Sequence, residues 1–114
     1  MAITTETFGR VLVAHTPEEL NEDNARELMS ALEGPVSQGT VCVVAQMDRT
    51  ESIDSAGLTA LLDLRDELRQ HNGNLKICNL TETGQKIFEL TRLDDHLDTF
   101  DSVIDAVASF LSAG

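Results

Sequence analysis

Tryptophan and tyrosine are missing from this chain, and phenylalanine occurs four times. A platform of rings for stacking unpaired bases therefore has almost no material, and the core has to be aliphatic. Basic residues are also scarce. Eight Lys and Arg stand against twenty Asp and Glu, a formal charge of −12. Acids cluster in Glu18-Glu19-Leu20-Asn21-Glu22-Asp23 and again from Asp94 to Asp101. Such a surface repels nucleic acid and anionic membrane, so neither is expected as a partner. It is either an ordinary solvated acidic face or one matched to a basic protein. No stretch approaches the ~20 apolar residues of a membrane span. Met1 to Arg10 lacks the basic-then-apolar order of a signal peptide, which predicts a cytoplasmic location. The two cysteines, Cys42 and Cys78, lie inside apolar runs, with no CxxC and no Cys/His cluster. They read as core residues in a reducing compartment rather than as metal ligands. His15, His71 and His96 show no ligand or dyad spacing. Phosphate-cradling glycine loops are absent, so no cofactor is expected.

What is present is a packed globule. The 114 residues are 41% hydrophobic, enough for one domain, residues 1–114, with one core. Ile3 to Phe8 alternates weakly and reads as an edge strand. Arg10 to Thr16 reads as a second, the two forming a hairpin. Ala25, Leu28, Met29 and Leu32 make one stripe of a helix starting near Glu22, capped by Asn21 or Asp23 and stopped or kinked at Gly34-Pro35. Val41 to Met47 is a continuous apolar run, the pattern of a central strand covered on both faces. A leucine-rich helix spans Ser55 to about Gln70 (Leu58, Leu61, Leu62, Leu64, Leu68), and Gly73 is suited to the left-handed position after it. Leu75 to Leu80 is a fourth strand. Thr81 and Gly84 open a third helix carrying Ile87, Phe88 and Leu90. Leu97 to Phe100 is a fifth strand. Asp101 would cap a last helix with an inner face of Val103, Val107, Phe110 and Leu111. The order β-β-α-β-α-β-α-β-α predicts an α/β fold with a mixed sheet of about five strands and four helices.

Ile53-Asp54-Ser55-Ala56-Gly57-Leu58 falls where the central strand and a polar loop give way to the leucine-rich helix. A serine there meets the unpartnered N–H groups and the positive dipole end of a helix. A phosphate on Ser55 would sit in a field that tolerates it. Asp54 or Ser55 can equally be a plain N-cap, since both side chains accept bonds from the next turn. Ala56 and Gly57 lack bulk. They would admit another protein's active site, or Gly57 could pack the helix start tightly on the sheet.

This element order, with that motif after the third strand, resembles the STAS family, the sulfate-transporter and anti-sigma-factor-antagonist domains, over roughly Ile3 to Leu111. A chain of this kind looks like a bacterial anti-sigma factor antagonist. The resemblance implies that Ser55 is phosphorylated by a partner-switching serine kinase, the anti-sigma factor. It implies that the unphosphorylated form binds that kinase and frees a sigma factor, and that a metal-dependent serine phosphatase restores it. The implied partner surface is Asn21, Glu22, Asp23, Asp54, Ser55, Ala56, Gly57, Leu58 and Thr59. Relatives often carry Gly-Glu-Leu-Asp where this chain reads Glu18-Glu19-Leu20-Asn21, and an apolar residue at Ser52. Thr59, one turn beyond Ser55, would support it by a hydrogen bond or sit at the core edge. An alternative within the family is a non-switching scaffold subunit of a stress-sensing or lipid-transport complex. A hydrolase reading of Ser55 has little support, because there is no GxSxG and no histidine spaced as its base.

Overall fold

The computed structural model describes residues 3–111, so the expected domain limits at residues 1 and 114 lie outside the described residues. Strands β1 (Thr4–Phe8) and β2 (Val11–His15) form the antiparallel hairpin. There follow β3 (Glu19–Leu20), α1 (Glu22–Ser37), β4 (Cys42–Gln46), β5 (Ser52–Ile53), α2 (Ser55–Gln70), β6 (Asn74–Cys78) and α3 (Glu82–Thr91). A 3-10 turn (Leu93–Asp95), β7 (Asp98–Phe100) and α4 (Val103–Leu111) complete the fold. The main sheet runs β1-β2-β4-β6-β7, parallel except for the β1–β2 pair. The α/β class, the mixed five-stranded sheet and the four helices are those expected. The two-residue strands β3 and β5 were not, and they pair with each other in parallel, apart from the main sheet.

Strand alternation divides the core in two. Leu12, Ala14, Val43, Ala45, Leu75 and Ile77 turn to one face and meet Leu28, Leu32, Leu61, Leu64, Leu68 and Phe88 of α1, α2 and α3. Val11, Val13, Cys42, Val44 and Cys78 turn to the other, where Ala106 and Phe110 of α4 cover them. Burial of each such side chain contributes roughly 1.5–3 kcal/mol. Lys76 also lies under α4. Its ammonium donates to Ser109 Oγ at 2.8 Å and stands 4.3 Å from the centre of the Phe110 ring, so its stem is covered while its charge keeps partners. Arg10 donates to the Phe110 carbonyl at 2.7 Å, satisfying an acceptor at the end of α4. Both cysteines are buried and free. Burial, helped by the charge of Asp48, pushes the Cys78 thiol up from 9.0 to about 11.

Several local expectations need correction. The left-handed residue after α2 is Asn72 (φ 67°), not Gly73. Gly73 is needed instead because a Cβ there would lie 2.6 Å from the Val41 carbonyl carbon. Its N–H still reaches Leu68 O at 2.8 Å, so the turn closes with asparagine at the strained position, which Asn tolerates better than most residues. The cap of α4 is Ser102, whose Oγ accepts from Asp105 N at 3.1 Å. Asp101 lies one residue too early. Leu111, expected on the inner face of α4, is 51% exposed, and the buried residues of that helix are Ala106 and Phe110. Helix α1 does not stop at Pro35 but continues to Ser37. Gly34 makes this possible, having no Cβ to crowd the proline ring.

Candidate functional site

The site starts from two short strands. Pairing of Glu19 with Ser52 and Leu20 with Ile53 lays the entry to α1 beside the entry to α2. Each helix then begins on its own side-chain cap. Asn21 Oδ1 accepts from Asn24 N at 3.0 Å, and Asp54 Oδ1 accepts from Gly57 N at 2.9 Å. Asparagine thus does at position 21 what aspartate would do in a Gly-Glu-Leu-Asp run. Glu18 and Ser52 are exposed, so neither departure buries a polar group. Both also hold the pairing through the backbone, with Glu18 O accepting from Glu51 N at 2.8 Å and Ser52 N at 3.3 Å.

With Asp54 as the cap, Ser55 is the first residue inside α2, and it is exposed. The first turn of α2 carries no acid, whereas α1 has Glu22 and Asp23 there, α3 has Glu82 and α4 has Asp105. The positive end of the α2 dipole is therefore met by the Asp54 cap carboxylate and by no acid inside the first turn. Gly57 is buried for a packing reason. A Cβ at Gly57 would collide with Leu20 O and lie 3.0 Å from Ile53 Cγ2. The same Leu20 carbonyl accepts from Asp54 N at 3.1 Å. Missing bulk at position 57 is what lets β3 close on the start of α2.

The expected surface residues divide. Glu22, Ser55, Ala56 and Thr59 line one shallow groove of about 560 Å³ between α1 and α2, together with Arg26 and Asp63. Leu58 is half-buried and packs on the core below. Asn21 serves as a cap, and Asp23 is exposed on the first turn of α1 without lining the groove. Thr59 is exposed and makes no hydrogen bond to Ser55 among the described residues. His71 caps the far end of α2, so the sixteen-residue helix separates it from Ser55.

Two functional supports escaped the sequence. Thr16 and Thr50 are 0% and 1% exposed, and their hydroxyls lie 2.6 Å apart. The Thr50 hydroxyl donates to Pro17 O at 2.6 Å. Having spent its proton there, it accepts from Thr16. Thr81, the cap of α3, donates to Thr50 O at 3.2 Å and accepts from Gly84 N at 2.9 Å. The loop that leads into Ser55 is thereby tied to the loop after β2 and to α3. The pair is 34 residues apart, and no pattern in the chain joins them.

The STAS domain family model matches residues 2–106, and the chain belongs to that family. A protein of Bordetella bronchiseptica named "Putative anti-sigma factor antagonist BtrV" is 30% identical over 113 residues, covering 99% of this chain and 97% of its own length. Among solved structures, the unphosphorylated anti-sigma factor antagonist SpoIIAA is similar with a TM-score of 0.81 at 19% identity, covering 97% of each chain. The Bacillus cell fate determinant SpoIIAA in its phosphorylated form gives 0.73 at 20% identity, covering 96% of this chain and 99% of that one. Among the described residues no helix is long and apolar enough to cross a membrane.

Proposed function

We propose that this protein is an anti-sigma factor antagonist switched by phosphorylation of Ser55. In this reading the unphosphorylated form binds an anti-sigma factor serine kinase through the groove at the paired helix starts. That binding releases a sigma factor, and a metal-dependent serine phosphatase reverses the modification. The observation that carries it is the exposed hydroxyl of Ser55 on the first turn of α2, directly after the Asp54 cap and beside the start of α1. The named relative supports the class, and the phosphorylated SpoIIAA structure supports the kind of modification.

The physics of the switch is local. A phosphate adds about −1.5 to −2 charges at neutral pH. The α2 dipole can host it, so the fold need not rearrange. At an interface, however, the dianion must be desolvated or set against partner carboxylates. Truncated or unpaired buried charges typically cost about 3–5 kcal/mol. Even 3 kcal/mol weakens binding by more than about a hundredfold. Incubation with ATP and the cognate anti-sigma kinase should label the parent chain and leave Ser55→Ala unlabelled. Equal labelling of both chains would refute the assignment of the site. Recovery of the chain only in a large scaffold or transporter complex, with no anti-sigma kinase, would replace this reading with the non-switching one.

A further inference from the structure

Beyond Thr59 the seam between α1 and α2 does not close. It widens into a second, larger hollow of about 820 Å³ that reaches His71 at the end of α2. Arg26 and Met29 line both hollows, which makes one continuous groove running from Ser55 along the helices. Sixteen residues at 1.5 Å each give a groove of about 24 Å. Its floor is apolar. Met29, Val36 and Val41 are half-buried, each resting on the core from below with one side uncovered. Its rim is acidic. Glu33 and Glu67 border the outer hollow and Asp63 the inner one. None of these three carboxylates has an ion-pair partner among the described residues, whereas Glu22 pairs with Arg26 at 3.3 Å.

We infer that this outer groove is a second part of the partner surface. It takes an amphipathic helix of the anti-sigma factor that carries basic residues on either side of an apolar stripe. The inference rests on the Ser55 reading for the partner's identity and deepens it. An apolar floor that runs about four turns along the α1–α2 seam suits apolar anchors spaced i, i+3 or i+4, i+7. Three unpaired rim carboxylates match Lys or Arg on the flanks, giving orientation and a salt-dependent association rate. Continuity with the Ser55 groove means one bound partner spans both, so contact at the outer groove holds the partner while the phosphate at its inner end decides whether it stays.

The test uses the full chain and its cognate anti-sigma kinase, with affinity measured by biolayer interferometry at two salt concentrations. Glu33→Lys/Glu67→Lys should weaken binding at least tenfold with the melting temperature unchanged, since both residues are exposed. Asp98→Lys/Asp105→Lys, on exposed positions of β7 and α4, makes the same change of net charge as a control and should leave affinity within threefold. If the groove variant binds like the parent, or the control weakens binding equally, the outer groove is not a contact. The Ser55 reading then stands by itself. If the parent binds no anti-sigma kinase, the Ser55 reading fails and this inference fails with it.

Discussion

Gly57→Ala is the substitution whose sign separates packing from propensity. In an open helix position, alanine in place of glycine stabilises by about 1 kcal/mol. At Gly57 the added methyl would run into Leu20 O and lie 3.0 Å from Ile53 Cγ2 and from the Leu20 carbonyl carbon. Carbon contacts are optimal at about 3.5–4.0 Å, so either β3 or the start of α2 must withdraw. Overpacking of this kind costs roughly 1–3 kcal/mol. Withdrawal also strains the Leu20 O bond to Asp54 N, a bond worth about 1 kcal/mol. The propensity gain offsets about 1 kcal/mol, leaving a net loss of roughly 1–3 kcal/mol. At about 2.1 cal/mol/K of unfolding entropy per residue, each 1 kcal/mol moves the midpoint of a 114-residue chain by roughly 4 °C. Thermal unfolding followed by circular dichroism should therefore show Tm lower by roughly 4–12 °C. Amide exchange at Asp54 should quicken more than at the β4–β6 ladder. A Tm equal to or above the parent's would mean that β3 yields freely, and the tight closure at the site would be refuted.

Other outcomes follow from the same geometry. Thr50→Val keeps the shape but takes the donor from Pro17 O and leaves Thr16 Oγ only its 3.4 Å bond to Gln46 O, so urea unfolding should show a loss of about 1–3 kcal/mol. Thr50→Ser, which keeps the hydroxyl, should cost about 1 kcal/mol or less. Asp54→Ala removes the α2 cap and should cost about 1 kcal/mol, with local exchange at Gly57 increased. Cys78 carries a folded-state pKa above its unfolded one, so its contribution is fully present below pH 9.0 and fades as pH climbs toward about 11. The loss amounts to roughly 2–3 kcal/mol over that window. Urea midpoints at pH 8 and pH 11 should fall further apart for the parent than for Cys78→Ala, and equal falls would contradict the raised value.

Residue patterns carried the large elements. Leucines at 58, 61, 64 and 68 mark α2, and its bounds Ser55–Gln70 coincide with the expected ones because the motif and the His71–Asn74 break frame it. The Thr81 cap of α3 was equally legible from Thr81 and Gly84. What failed depends on contacts far apart in sequence. Gly73 reads as a cap glycine until the Val41 backbone is seen against it. Leu111 satisfies an apolar count but lies outside the narrow stripe that the sheet can cover. Ser102 takes the cap from Asp101 by a shift of one residue, within the usual uncertainty of helix ends. Strands of two residues, such as β3 and β5, are too short to show any period. At the candidate site, the place of Ser55 was readable from the motif. The Thr16–Thr50 tie and the groove beyond Arg26 were not, since each is made by segments that meet only in the folded chain.

The parallel join of Glu19–Leu20 to Ser52–Ile53 has a kinetic consequence. Because it fixes the two helix starts before any encounter, docking carries little ordering entropy. Arrival rates should then be nearly the same for modified and unmodified chains in high salt, where long-range repulsion is screened. Discrimination would reside in how long each complex survives, so residence time would be the quantity that reads out the proposed switch.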